Sequence, residues 1–135
     1  MPAIFFYGLF MDPQVLEEKE CHPVNVTLAC LPGYQLKIGE RATLLESPGS
    51  RCYGTVIELA DSEVRKLYQD ESVKDYKPLD VEAVYMDGGA IQAVSYVLPV
   101  EKLSGSNSEY AKSLARVAMK LELPDEYVAE IEQWI

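Results

Sequence analysis

The chain has 135 residues, of which 48% are apolar and 25% charged, so it is long enough to bury roughly two-thirds of its unfolded surface around one core. Its formal net charge is −10, from 22 acidic and 12 basic residues, and no run of lysine or arginine is dense enough to neutralise a phosphate backbone. We therefore expect a single domain over residues 1–135 and no nucleic acid partner.

The first residues predict the cellular location, and the cysteine spacing argues against metal and disulfide chemistry. The segment before Asp12 lacks a basic leader and is too short for a signal peptide or a membrane span, which predicts a cytoplasmic protein with no membrane partner. The three cysteines lack the C-x2-C spacing of a metal site, so neither zinc nor a disulfide framework is expected. His22 follows Cys21, but adjacent residues of an extended chain point to opposite faces, which argues against a catalytic pair.

The chain begins with a short apolar strand, residues 3–7, that leads into a helix. Asp12 followed by Pro13 is typical of a helix N-terminus, so residues 8–11 must form a tight connection. Backbone N–H groups converge in such a turn, and Gly8 permits both a positive φ angle and the close approach of a ligand. The turn is a candidate anion site, although an ordinary strand-to-helix connection has the same pattern.

Strand patterns continue in the middle of the chain. Residues 24–31 and 34–38 alternate on either side of Pro32-Gly33, which predicts two paired strands. A turn is predicted at residues 47–50, and the strand that follows it contains Gly54 at a close approach. A helix then begins at Asp61 as its N-cap.

A hairpin and two helices are predicted in the rest of the chain. The hairpin turns at Asp87-Gly88-Gly89, because both flanks alternate polar with β-branched or aromatic residues. Ser106 and Glu109 have the spacing of a capping box, and Pro124 opens a last helix. These elements predict an α+β fold, a small mixed, mostly antiparallel β-barrel or curled sheet flanked by helices.

The order of four segments resembles the gamma-glutamylcyclotransferase-like family, which includes the AIG2-like proteins, across nearly the whole chain. The first segment, Phe6-Tyr7-Gly8-Leu9-Phe10-Met11, is similar to the family's Tyr-Gly-Ser/Thr-Leu turn, and the second is the strand from Gly54 to Leu59. The third, Leu67 to Tyr76, is similar to the family's Leu-Asp-x-x-Glu-Gly segment and the tyrosine that follows it. The fourth, in the C-terminal part, comprises Ser95-Tyr96, Tyr110 and Leu123 to Tyr127. The chain departs from the family pattern at Leu9, Tyr68 and Ser72.

The resemblance implies an enzyme that cyclises a gamma-glutamyl amine or amide: the substrate's α-amine attacks its γ-carbonyl, giving 5-oxoproline and the free amine. It implies that Glu71 is the catalytic residue, which accepts the proton of the α-amine and returns it to the leaving amine, with a pKa raised by partial burial. The turn's backbone N–H groups would hold the substrate carboxylate or the developing oxyanion. Neither a metal nor an organic cofactor is required. The implied substrate-binding residues are Tyr7, Gly8, Leu9, Phe10, Tyr76 and Tyr110.

Other assignments of the carboxylate stay open. Without the resemblance, Glu71 is interpreted as a solvated carboxylate at a helix end near Lys74 or Lys77. Its rivals for the catalytic role are Asp70 and, on the following strand, Glu82.

Other functions also stay open. The departures at Leu9 and Ser72 favour a noncatalytic small-molecule-binding module of the same fold. A regulatory protein that uses the acidic face of residues 122–135 is a third hypothesis. The sequence does not decide the leaving amine or the oligomeric state, a homodimer included.

Overall fold

The computed structural model describes residues 1–71 and 73–135, and five strands in this part of the chain close into a barrel. They are β1 (Ala3–Phe6), β2 (Val24–Ile38), β3 (Ala42–Glu58), β4 (Lys77–Tyr85) and β5 (Ala90–Val97). The order around the barrel is β1-β3-β2-β4-β5, and neighbours run antiparallel except for β1 and β5, which are parallel. The mixed, mostly antiparallel barrel predicted from the sequence is confirmed.

Helices flank this barrel: α1 (Pro13–Glu18), α2 (Asp61–Leu67), α3 (Ser108–Lys120) and α4 (Asp125–Glu132). Asp12 caps α1 as predicted, accepting a 3.0 Å hydrogen bond from the Gln14 N–H. Within residues 1–71 and 73–135, none of the helices has both the length and the apolar character needed to cross a bilayer.

Two helix boundaries differ by one residue from the prediction. The N-cap of α2 is Ala60 rather than Asp61, which instead lies in the first turn. The cap of α3 is Asn107 rather than Ser106, and its side chain accepts a 2.9 Å hydrogen bond from the Tyr110 N–H. Ala60 makes no side-chain capping hydrogen bond, and differences of one residue are ordinary at helix ends.

β2 and β3 are longer than the sequence indicated. The predicted break at Pro32-Gly33 and the predicted turn at residues 47–50 lie opposite each other, inside a pairing that continues on both sides. Gly33 and Gly49 have φ angles of +85° and +87°, the left-handed conformation typical of a bulge. Both halves of β2 therefore pair with β3 and not with each other; the prediction was wrong because bulges and turns use the same residues.

β1 lies in the core, and the predicted turn follows it in the chain. Ile4 and Phe5 are each only 1% exposed. At the end of β1, Phe6 pairs with Thr55, and a Cβ atom at the neighbouring Gly54 would overlap the Phe6 carbonyl oxygen. The close approach predicted for Gly54 is confirmed, and it fixes the start of the turn against β3.

Candidate active site

A cavity of about 350 Å³ opens beside the turn that follows β1. Aromatic side chains form much of its wall, and the charged residues that line it are Lys19, Glu40 and Arg41. Its volume lies within the range typical of small-molecule sites. The six residues with an expected substrate-binding role, Tyr7, Gly8, Leu9, Phe10, Tyr76 and Tyr110, all line this one cavity.

The turn itself is a single 3₁₀ turn, Leu9–Met11. The Met11 N–H donates to the Gly8 carbonyl at 3.0 Å, and the Asp12 N–H donates to the Leu9 carbonyl at 3.2 Å. The first N–H groups of a helical turn have no acceptor within it, and here they belong to Leu9 and Phe10. Both residues line the cavity, and the Leu9 backbone also forms a hydrogen bond with the Tyr110 hydroxyl.

Gly8 is required for a different reason from the one expected. Its φ angle is −102°, so the positive φ permitted by glycine is not used. A Cβ atom at this position would instead lie 2.7 Å from the hydroxyl oxygen of Tyr110 on α3. The need for glycine comes from the tertiary packing of the turn against α3.

Side chains hold the far end of the turn in place. The buried Thr55 hydroxyl donates a 2.8 Å hydrogen bond to the Met11 carbonyl. Asp12, which is 5% exposed, accepts a 2.8 Å hydrogen bond from the Lys120 ammonium at the end of α3. The turn is therefore tied to the barrel and to α3, which suits a site that must be preorganised.

An aromatic cluster forms one wall of the cavity. The rings of Tyr68 and Tyr96 stack with centroids 4.1 Å apart at an interplanar angle of 15°. Phe10 meets Tyr68 edge-on at 6.1 Å. Tyr68, a departure from the family pattern, therefore contributes flat apolar surface to the site.

The tyrosine hydroxyls of the cavity act as protonated groups. Tyr7 donates to the Tyr96 carbonyl at 2.7 Å, and Tyr76 donates to the Ala42 carbonyl at 2.5 Å. Burial raises the pKa of Tyr7 well above 10 and that of Tyr76 to about 12. Burial also raises the pKa of Tyr110, against the opposing effect of a hydrogen bond with the Leu9 backbone. These phenols therefore stay protonated at neutral pH and can donate hydrogen bonds.

Glu71 is directed to solvent in this structure. Its side chain is 86% exposed, and its Oε2 lies 2.7 Å from the Nζ of Lys74. The expectation of partial burial is therefore wrong, because the residue follows the end of α2 in an exposed segment with a lysine three positions on. Tyr68 and Val73, on either side of it in sequence, both line the cavity. The departure at Ser72 lies outside the described residues.

The two rival carboxylates are also exposed. Asp70 follows the end of α2, and Glu82 on β4 accepts a 3.1 Å hydrogen bond from Gln92. Among the residues that the structure describes, neither of them lines the cavity.

The carboxylate that does line the cavity is Glu40, which the sequence analysis missed. It lies between β2 and β3, where its N–H donates a 2.7 Å hydrogen bond to the Ser104 carbonyl. Its side chain packs along Gly105, where a Cβ atom would lie 2.8 Å from the Glu40 Cγ. The one available signal was a pair of charged residues, Glu40 and Arg41, directly after Gly39 at the end of an alternating segment.

Known proteins resemble this chain in sequence and in fold. The family model described as gamma-glutamyl cyclotransferase, AIG2-like, matches residues 4–116. A curated gamma-glutamylcyclotransferase from Mus musculus is 26% identical over an alignment of 106 residues, and the alignment covers 73% of this chain and 56% of that protein. The matched region thus spans little more than half the length of that relative.

Two solved structures show the shared architecture. One named gamma-glutamyl cyclotransferase superposes with a TM-score of 0.81 at 21% identity, over 99% of this chain and 88% of the other. The crystal structure of an AIG2-like protein from Mus musculus superposes with a TM-score of 0.60 at 20% identity, over 81% of this chain and 90% of the other. At these identities the superpositions establish the fold.

Proposed function

We propose, because the chain belongs to the gamma-glutamyl cyclotransferase, AIG2-like family, that it cyclises a gamma-glutamyl amine or amide to 5-oxoproline and releases the free amine. One observation carries the proposal: the turn that bears the family resemblance and two distant tyrosines, Tyr76 and Tyr110, line a single cavity. A cytoplasmic location and a single domain over residues 1–135 belong to the same proposal.

The reaction needs a proton carrier and an anion site. The substrate's α-amine has a reference pKa of about 8 and is mostly protonated at about pH 7, so it must lose a proton before it attacks the γ-carbonyl. The new C–N bond closes the five-membered ring, the bond to the leaving amine breaks, and that amine takes up a proton. One carboxylate can carry out both proton transfers.

Glu71 is the carboxylate proposed for this step. In the structure its partner is the ammonium group of Lys74 at 2.7 Å. The substrate's α-ammonium is a partner of the same kind, so bound substrate can replace Lys74 and draw the carboxylate toward the cavity between Tyr68 and Val73. There the carboxylate would lie beside the α-ammonium whose proton it accepts.

The proposed anion site is the turn after β1. Backbone N–H groups of this turn would hold the substrate carboxylate or the oxyanion that develops on the γ-carbonyl. The hydrogen bonds that fix Met11 and Asp12 support this role, since a rigid donor array needs little reorganisation during the reaction.

A noncatalytic small-molecule-binding module is the second candidate function. The observation that favours it is the position of Glu71, whose carboxylate is exposed and paired with Lys74. Such a module would retain the cavity and bind gamma-glutamyl compounds without converting them.

Incubation of the protein with a panel of gamma-glutamyl compounds distinguishes the two candidate functions. A cyclotransferase releases 5-oxoproline and free amine in equal amounts, which liquid chromatography with mass detection measures directly. Saturable binding in calorimetry without either product supports the binding module. Neither binding nor product across the panel contradicts both.

A further inference from the structure

We propose that another cavity, between α4 and the paired strands β2 and β3, binds a free amino acid that has an aromatic side chain. The ammonium group of this zwitterion binds the glutamates of α4, its carboxylate binds Arg51 of β3, and its side chain packs against the aromatic rings of the cavity. This binding does not depend on the proposed function, because it takes place outside the candidate active site.

The cavity has a volume of about 490 Å³, within the range typical of small-molecule sites. It has in common with the cavity beside the turn none of the lining residues that the structure describes. Tyr53 on β3 and Tyr127 on α4 meet in its wall with ring centroids 5.1 Å apart. Because Tyr127 is only 3% exposed, aromatic surface forms the base of the cavity.

Trp134, which follows the end of α4, adds a third ring to this wall. Lys37 on β2, which is not among the lining residues, has its Nζ 5.5 Å from the centre of the Trp134 ring. This cation–π contact holds the indole from outside the cavity. An aromatic side chain of a ligand can therefore pack against a ring that is already positioned.

The charged residues of the cavity lie on opposite walls. Glu126 and Glu130, four positions apart on one face of α4, carry two negative charges, and Arg51 on β3 carries one positive charge. All three side chains are exposed, so a ligand can reach them from solvent. Within residues 1–71 and 73–135, Arg51 forms no salt bridge with either glutamate. A zwitterion can contact both walls favourably, whereas a simple cation or anion is repelled by one of them.

Arg51 retains donors for a carboxylate. Its guanidinium is hydrogen-bonded with the Tyr53 side chain, which raises the pKa of Arg51 above its ordinary value. The two residues are two positions apart on β3, so their side chains lie on the same face of the strand. A guanidinium has several N–H donors, and one phenol leaves others that can bind a carboxylate in bidentate fashion.

The glutamates of α4 form a matching site for the ammonium group. Like charges four positions apart on a helix repel each other, and α4 contains neither lysine nor arginine to offset this repulsion. An ammonium group near Glu126 and Glu130 relieves the repulsion and has enough N–H donors for both carboxylates.

Phenylalanine and three related compounds test this proposal. Trp134 is the one tryptophan of the chain, so its fluorescence reports whether this cavity is occupied. At low ionic strength, phenylalanine should produce a saturable change in emission. Phenylalaninamide lacks the carboxylate and N-acetylphenylalanine lacks the ammonium group, so each should bind at least about threefold more weakly. Alanine keeps both charges but has no ring, and it should also bind at least about threefold more weakly.

Charge-removing variants assign each charge of the ligand to its wall. Arg51→Gln should weaken phenylalanine binding at least about threefold and leave the Kd of phenylalaninamide within about twofold of wild type. The double variant of Glu126→Gln and Glu130→Gln should weaken phenylalanine likewise and leave the Kd of N-acetylphenylalanine no higher than in wild type. Glu132→Gln removes an exposed glutamate of α4 that does not line the cavity, and it should bind phenylalanine as wild type does. Melting temperatures show whether the variants are folded.

Four results would overturn the proposal. The first is no saturable change in Trp134 emission with phenylalanine up to about 10 mM. The second is equal binding of phenylalanine and its two blocked derivatives, which would mean that the charges of the ligand are not recognised. Calorimetric binding without an emission change would place the amino acid outside this cavity. Equal weakening by Glu132→Gln would reduce the effect of the glutamates to the general negative charge of α4.

Discussion

The hydroxyl oxygen of Tyr110 lies 2.7 Å from the position that a Cβ atom would take on Gly8. This contact joins the turn after β1 to the first turn of α3, a helix that begins about a hundred residues later in the chain. It explains why the turn needs glycine although its backbone is not left-handed.

Gly8→Ala should therefore destabilise the protein through overpacking, by about 1–3 kcal/mol. Tyr110→Phe in the same chain should recover part of this loss, because it removes the atom that the new methyl group meets. Urea unfolding of the two single variants and the double variant measures the coupling free energy.

Gly89→Ala is the matched control, since a Cβ atom there would lie 3.3 Å from a ring carbon of Tyr85 and 3.6 Å from the Asp87 Oδ1, with no contact as short as that at Gly8. A Gly8→Ala variant as stable as wild type, or no recovery on adding Tyr110→Phe, would show that the turn can move away from α3 at little cost.

The proposed role of Glu71 as the proton carrier is tested by a substitution that removes its charge and keeps its size. Glu71→Gln should reduce 5-oxoproline formation by about 10²–10⁴-fold, because an amide cannot relay the proton, and should leave the melting temperature near that of wild type. Side-by-side rates with one gamma-glutamyl substrate provide the measurement.

Glu40→Gln and Asp70→Asn are the controls for Glu71. Glu40 already lines the cavity, so a larger loss in Glu40→Gln than in Glu71→Gln would assign the proton transfer to Glu40. Loss confined to Asp70→Asn would assign it to the neighbouring carboxylate.

Leu9 is the departure from the family turn with the most direct effect on the cavity that it lines. Leu9→Ser should change the ratio of kcat/KM between substrates with small and bulky leaving amines, by a few-fold up to about 10²-fold, because apolar contact with the leaving group is lost. Two gamma-glutamyl substrates that differ only in leaving-group size suffice.

Leu45 is also a half-buried leucine but lies on β3, so Leu45→Ser controls for general destabilisation. If Leu9→Ser lowers the melting temperature and leaves the substrate ratio unchanged, Leu9 is a packing residue and its departure from the family has no bearing on specificity.

A fourth prediction concerns pH and the contact between His22 and Glu63. Hydrogen bonds from the His22 side chain, at 2.6 Å, and from its backbone N–H, at 3.1 Å, hold the pKa of Glu63 below its ordinary value of 4.5. A carboxyl group with a lowered pKa in the folded state stabilises the fold above its unfolded pKa, and this contribution is lost as the pH falls through the lowered value.

Wild-type protein should therefore exceed Glu63→Gln in stability by about 0.2–1 kcal/mol above pH 4.5, and the difference should shrink as the pH drops below that value. Urea midpoints across this range provide the measurement, with Glu132→Gln at the end of α4 as a control. A difference that stays constant down to the most acidic midpoint would mean that the contact acts without its charge.

Much of the local structure followed from the sequence because short-range rules decide it. The Asp12 cap, the hairpin around Gly88 and the close approach at Gly54 depend on neighbouring residues or on a missing side chain. The bulge of β2 and β3 was mistaken for a break and a turn, since the choice between them depends on whether a partner strand continues alongside.

Some features of the candidate site were likewise predictable from the sequence, and others were not. The sequence by itself identified the turn and three of the tyrosines that line the cavity, Tyr7, Tyr76 and Tyr110, because they lie in segments with a recognisable order along the chain. The placement of Glu40 and Arg41 on the cavity, the solvent-directed side chain of Glu71 and the packing of Gly8 against Tyr110 were decided only by the tertiary structure. Each depends on which distant strand or helix lies next to a residue once the barrel has closed, and no local sequence pattern specifies which distant elements become neighbours.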